Sequence, residues 1–452
     1  MKYLLFVFCL FVFAFVAKAD HYLGANISYK SLGNMKYEVT ITAYQDEQHK
    51  ASDKDAITVY WGDNTSSSVL RTNGGGAGVL INSDIRKSVF VGTHQYSNDG
   101  NYRIFVSESY RRASILNVAN GQSAISKLYV DAIVPVYSDP NICVNNSVQY
   151  QLDPIFYAYQ NLEYSVNPGA YDSDGDSLVF SLINCRDKNG ASAKNYFVPL
   201  NATIDADNGS LVWPNPQVGT FAFCVLVEEF RNGQKIAQSS SDFVVTTGNS
   251  FSTAPVATYA SDVYLYGGDT VKYPFDLTMS GISSHSYNFW GGGLLAPVSN
   301  HTGTSTHVID TITWITLNSD EKSGPYAFVH RFQVVQAGHI FIKDFTVGVH
   351  VLGNQSWTCT VPDLSEIVDV APELFDFSVS PTIFDEYVWL NAGDKSGATV
   401  YLYDIQGKLL EKYTNFTQKT VQLDLSNLAS AIYILVLYDN NERILTQRLV
   451  KK

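Results

Sequence analysis

The sequence is poor in sulfur and in charge. Of its 452 residues, 5 are cysteine, 3 are methionine, and 16% are Asp, Glu, Lys or Arg. So few cysteines exclude a small scaffold stapled by dense disulfides. None stands in a CxxC pair of the kind that holds structural zinc. Cations are outnumbered, 30 Lys and Arg against 43 Asp and Glu, for a net charge of −13. An acidic surface repels phosphate backbones, so no nucleic-acid partner is expected. Beyond residue 19, no apolar run approaches the roughly 18 residues of a membrane-spanning helix, so no later transmembrane segment is expected. Catalytic signatures are missing as well: there is no G-x-S-x-G elbow and no HExxH helix. The triple glycine at Gly74, Gly75 and Gly76 has no Lys-Ser/Thr after it, which makes it a strand connection and not a phosphate cradle.

What is present suits β-structure. The chain holds 29 Tyr and 25 Phe with abundant Val and Thr, residues that fit a pleated, half-buried surface. In KYEVTITAY, Tyr37, Val39, Ile41 and Ala43 fall on one face and Glu38, Thr40 and Thr42 on the other. The preceding HYLGANISYKSLGN ends in a Gly-Asn turn, so the pair reads as a hairpin.

The first nineteen residues have the pattern of a signal peptide: Lys2, an apolar run over 3–16, then Ala17-Lys18-Ala19. Cleavage is expected between Ala19 and Asp20. The alternative, a membrane anchor, lacks a stop-transfer pattern. Losing Lys2 and Lys18 takes the net charge from −13 to −15. Export places Cys143, Cys185, Cys224 and Cys359 in an oxidising compartment, where one or two disulfides can form. Cys185–Cys224 is the favoured pair, Cys143 is the competing partner, and Cys359 is expected to stay free.

Residues 20–137 contain Trp61-Gly62-Asp63 and, later, His94, Tyr96, Gly100 and Tyr102. This pairing resembles the PKD family of Ig-like β-sandwiches. The opening stretch from Asp20 also resembles the start of large surface proteins of gliding bacteria. Residues 138–248 carry YDSDGDSLVFSLINC, a turn from Asp205 to Gly209, and a strand opening at Gly219-Thr220-Phe221. That order resembles cadherin-like and bacterial Ig-like domains. Asp172, Asp174 and Asp176 alternate along a tight loop, and clustered carboxylates suit a structural calcium ion (Ca2+). It is not an EF-hand, because Gly175 comes too early and Ile183 stands where the bidentate Glu belongs. Under the cadherin-like resemblance, Glu228, Glu229 and Asp242 are candidates for further oxygens, and the ion would stiffen a domain junction. The plain alternative is a solvated Asp/Gly turn.

Residues 249–366 are strand-like without a family resemblance. Six histidines gather there, His285, His301, His307, His330, His339 and His350, at spacings too irregular to predict a metal site. Residues 373–452 hold Pro381, then Tyr403, Asp404, Gly407 and Lys408, then Leu428 and Tyr433, and finally Lys451 and Lys452. This sequence of motifs resembles the C-terminal sorting domain of the type IX secretion system. Ser380 and Ala431 depart from the usual Asn and Gly of that pattern.

The expected fold is all-β, with tandem Ig-like sandwiches and a small C-terminal sorting sandwich. The expected function is that of a secreted or cell-surface, non-enzymatic protein for adhesion or ligand binding. Its partners would be the type IX secretion machinery and a surface ligand, glycan or protein, held by exposed Tyr and Trp. The alternative is a secreted hydrolase with its active site in 249–366.

Overall fold

The computed structural model describes residues 22–451 apart from 48–52, 110, 249–250, 252–253, 280–283, 295–296, 305, 337–338, 354–356, 363, 365–366, 369–377, 381–382, 385, 392–398, 405–407, 415–419 and 440–441. The expected signal peptide with Ala19 and Asp20, and Pro381, Gly407 and Lys452 of the sorting motif, lie outside the described residues. Regular structure among the described residues consists of strands and short 3-10 turns, so the protein is all-β. No described helix is long and apolar enough to cross a membrane. The chain forms two compact units, Met1–Pro372 and Glu373–Lys452.

Strands Tyr22–Gly33 and Lys36–Asp46 form a hairpin. Its turn residues Asn34 and Met35 both have positive φ, 51° and 59°, the backbone of a tight turn whose twist matches right-handed strands. Tyr37, Val39, Ile41 and Ala43 are buried, and the residues between them are half-buried. They pack with Ile57, Val59, Phe90, Ile104, Val130 and Val134 into one core.

The sheet that carries this core has thirteen strands and does not stop at residue 137. Strand Gln234–Gly248 lies between Leu128–Val136 and Tyr22–Gly33. Its Gln238 and Ser239 pair with Ile133 and Ala132, its Ser241–Phe243 segment pairs with Gly24–Asn26, and most of its length pairs with Gly219–Arg231. The strands assigned from sequence to 20–137 and to 138–248 therefore share hydrogen bonds in one sheet. The cause is length: fifteen residues extend about 50 Å, enough to run through two cores. Gly24 permits the crossing, since a Cβ there would sit 2.4 Å from the Asp242 carbonyl oxygen. The second core is built on Trp213, fully buried edge-on against Phe221 and Phe223.

Residues 256–352 form two four-stranded sheets. One orders Val256–Thr258, Thr270–Thr278, His307–Ile315 and Val298–Gly303; the other orders Asp262–Tyr266, His339–Leu352, Tyr326–Gln336 and Ser284–Gly291. Phe275, Leu277, Phe332, Phe345, Trp314 and Phe328 fill the space between them. The second unit is likewise a sandwich, of three and five strands around Val388, Leu390, Val400, Leu402, Leu423 and Leu435.

Candidate functional site

The loop before strand Ser177–Leu182 draws oxygens of Asp172, Asp174 and Asp176 within 4.8 Å of one another. Asp172 Oδ1 accepts the backbone N–H groups of Asp174 and Asp176 at 2.9 and 3.0 Å, an Asx turn that sets the loop. Asp174 accepts from the backbone N–H and from Nδ2 of Asn146, each at 2.7 Å. Asp176 accepts from Arg231 through Nε at 2.7 Å and through the second guanidinium nitrogen at 2.6 Å. Arg231 also donates to the Val144 carbonyl and to Asn145 Oδ1, and its Cζ lies 4.0 Å from the centre of the Trp357 ring. Glu229, fully buried alongside, accepts from Asn145 Nδ2 at 2.8 Å and from Val148 N–H at 3.1 Å.

Burial and the neighbouring Asp176 and Asp174 charges push the Asp172 carboxyl up to about 8. Burial, with the Asp172 charge added, holds Glu229 well above the usual carboxylate range. A second cation faces the loop from the 316–325 turn: Lys322 is buried, with Nζ 4.1 Å from the Tyr326 ring centre. Burial brings its amine down to about 8 against the opposing pull of Asp172 and Asp176.

The loop carboxylates have partners within the protein itself. Calcium takes six to eight oxygens. Here both oxygens of Asp176 belong to Arg231 and those of Asp174 to Asn146, which leaves Asp172 Oδ2 as the buried loop oxygen with no hydrogen-bond partner among the described residues. Of the expected further ligands, Glu228 is paired with Lys235, and Asp242 lies opposite Cys224 and accepts from Arg111 at 2.7 Å. Only Glu229 joins the loop. The positive charge comes from Arg231 and Lys322. Sequence reading missed both.

The cysteines form two disulfides, Cys185–Cys224 and Cys143–Cys359, each with Cα atoms 5.1 Å apart. Cys359, expected to stay free, is thus tied to the residue expected to compete for Cys185. Backbone bonds from Cys143 N–H to the Thr360 carbonyl and from Thr360 N–H to the Asn141 carbonyl hold the same segment, which also carries Trp357 to Arg231.

Trp61, Asp63, His94, Tyr96 and Tyr102 come together. Trp61 stacks on His94 at 4.8 Å, His94 meets Tyr96 edge-on at 4.6 Å, and His94 Nε2 bonds Asp63 at 2.6 Å. Gly62, at φ +84°, is required because a Cβ would lie 2.6 Å from the Arg103 carbonyl oxygen.

Within 249–366, His330 is fully buried and stacked on Phe275 at 4.0 Å. Both ring nitrogens are engaged: Nδ1 with the Tyr287 hydroxyl at 2.7 Å and Nε2 with the Tyr273 hydroxyl at 3.0 Å. Tyr287 donates its proton to Asp310, which also accepts from Ser299 at 2.6 Å. Tyr287 therefore accepts from His330 Nδ1–H, and Tyr273 donates to Nε2. Burial drives the imidazole down to about 3. A neutral ring with both nitrogens bonded in a core has no lone pair open to a substrate. His307 and His350 pair separately with Asp276 and Asp262, and among the described residues no histidine joins a cluster of three metal-ligating side chains.

In the second unit, Asp404 and Lys408 close a hairpin turn: Asp404 Oδ1 accepts Lys408 N–H at 2.9 Å. Tyr403 lies on the strand leading into it. Leu428 is partly buried against the core, and Tyr433 donates to the Ala429 carbonyl at 2.6 Å. Lys451 Nζ donates to the Leu425 and Ser426 carbonyls, each at 2.7 Å, and its N–H to the Ala431 carbonyl at 2.9 Å. The end of the chain thus clasps the loop that carries Leu428.

Residues 384–452 match the secretion system C-terminal sorting domain. The chain is a secreted or cell-surface protein sorted by the type IX system. Among curated proteins, none matches the chain. Similar solved structures include the titin domains Z1Z2 in complex with telethonin, at 11% identity and TM-score 0.16, covering 47% of this chain and 100% of that one. A D1–D4 ectodomain fragment of ICAM-5 is similar at 12% identity and TM-score 0.16, covering 95% and 100%. The sialic acid binding region of the Streptococcus sanguinis SK1 adhesin is similar at 12% identity and TM-score 0.17, covering 45% and 78%.

Proposed function

We propose that the protein is a non-enzymatic binder displayed or released at the cell surface, which holds its ligand on exposed side chains of rigid β-sheets. The observation that supports this most is where its chemistry-bearing groups lie. His330, Asp310, Tyr273 and Tyr287 are locked together inside a sandwich, and the acidic loop is neutralised by Arg231 and Lys322. Large aromatic side chains, in contrast, stand on the outer faces: Tyr264 and Tyr266 are 63% and 64% exposed. The apolar cavity lined by Asn26, Leu152, Val166, Leu211 and Phe243 has a volume of about 20 Å³, room for about one water molecule.

The test is to expose purified protein to intact cells and to protein- and polysaccharide-coated surfaces, and to assay the same preparation for hydrolysis of casein and of a polysaccharide panel. Saturable binding without hydrolysis is the expected result. Hydrolysis that co-purifies with the chain and is lost with substitutions in 249–366 would establish the hydrolase instead.

A further inference from the structure

We infer that the outer face of strands Asp262–Tyr266 and His339–Leu352 binds an uncharged saccharide. This rests on the binding reading above and names its ligand class and site.

The two strands run parallel, with Asp262 opposite Gly348, Tyr264 opposite His350 and Tyr266 opposite Leu352. Leu265, Val347, Val349 and Val351 point into the core. By the two-residue period, Asp262, Tyr264 and Tyr266 line the other face, beside His350. Tyr264 is not a loose surface ring. It stacks on His350 with ring centres 4.3 Å apart and planes 14° apart, and His350 Nε2 bonds Asp262 Oδ1 at 3.1 Å. Gly348 keeps the floor bare: a Cβ there would lie 2.6 Å from Asp262 Oδ1. Tyr266 lies two positions on, about 7 Å along the strand and on the same face. Neither hydroxyl has a hydrogen bond among the described residues.

Polar groups flank both ends of the aromatic pair. Asp262 and His350 lie at one end. At the other, a Cβ on Gly267 would lie 2.7 Å from Glu321 Oε1 and 2.9 Å from Asn318 Oδ1, which places that carboxylate and amide at the turn after Tyr266. This composition selects the ligand. Electron-rich ring faces attract the apolar C–H faces of pyranoses, and the flanking carboxylates and amide accept from and donate to sugar hydroxyls. A protein partner would have to bury Asp262 and Glu321, residue types depleted from protein interfaces. The same carboxylates, on a chain of net charge −13, repel anionic glycans, so the saccharide is uncharged.

The test is affinity electrophoresis of the full chain in native gels cast with neutral glucan, mannan, xylan or galactan, and with heparin as an anionic control. Retardation by at least one neutral polysaccharide is expected. Y264A and Y266A should each weaken it roughly tenfold, with unchanged melting curves, whereas Y264F and Y266F should stay within a few-fold because the ring faces remain. The site is overturned if no neutral polysaccharide retards the protein, if heparin alone does, or if the alanine variants bind like the parent. If the protein adheres to cells or protein-coated surfaces while ignoring all four polysaccharides, the saccharide site falls and the surface-binding reading stands.

Discussion

Arg231 and Asp176 share a two-bonded ion pair with both side chains buried, 1% and 0% exposed, although 55 residues separate them in the chain. The pair fastens the acidic loop to the end of strand Gly219–Arg231 and seats Trp357 over the guanidinium. A buried pair adds little over an apolar substitute, but losing one partner strands the other's charge. R231M should therefore destabilise the protein by about 3–5 kcal/mol, because the buried Asp176 carboxylate loses its ion-pair partner. Equilibrium urea unfolding measures this. Because that partner is a side chain, adding EDTA or millimolar Ca2+ should leave the melting temperature of the parent protein unchanged.

Stability should fall as pH rises from about 6.5 to 8. Asp172 has a usual carboxyl value of 3.8 and about 8 in the fold, so the folded state holds its proton more tightly. The stability this contributes is complete below 3.8 and is lost as pH rises through 8. Glu229 acts in the same direction. His330 acts oppositely, but its value is lowered from 6.5 to about 3, so its contribution is lost only as pH falls below 6.5. Lys322, lowered from 10.5 to about 8, restores stability only as pH rises beyond 8. Unfolding free energies at half-unit steps from pH 6.5 to 8 should therefore decline in the parent and decline less in D172N. A flat profile in the parent would refute this assignment.

The acidic loop itself was legible as alternating carboxylates, and so was the first hairpin, because burial follows the two-residue period from Tyr37 to Ala43. The partners of the loop were not. Arg231 and Lys322 reach it from elsewhere in the chain, and no local pattern records which cation the fold will bring. The join across residue 137 was hidden for the same reason: pairing of Gln234–Gly248 with Tyr22–Gly33 spans some two hundred positions. The His330 relay was visible only as an irregular scatter of histidines. Motifs whose members lie close together, such as Trp61-Gly62-Asp63 with Thr65 or Asp404 with Lys408, were readable because their hydrogen bonds are local.

Both disulfides should form in the exported protein, so denatured, unreduced material should show no free thiol. Of the two, Cys143–Cys359 should matter more. It spans 216 residues against 39 for Cys185–Cys224, and chain-entropy reasoning gives about 5 against about 4 kcal/mol. C143S/C359S should lower the melting temperature more than C185S/C224S, and it should expose the 357–360 segment to protease, since Thr360 then keeps only its backbone bonds to Asn141 and Cys143.

Export should depend on the clasp at the end of the chain as well as on the sorting domain as a whole. Truncation before residue 377 removes every strand of the second sandwich and should leave the protein in the periplasm. K451A is the finer test. Its ammonium bonds the Leu425 and Ser426 carbonyls, and its loss frees the loop bearing Leu428 while the eight-strand core around Leu402 and Leu435 remains. A reduced secreted fraction with normal total yield, read by fractionation and immunoblot, is the expected outcome. Secretion at parental levels from the truncated chain would show that the address lies elsewhere in the protein.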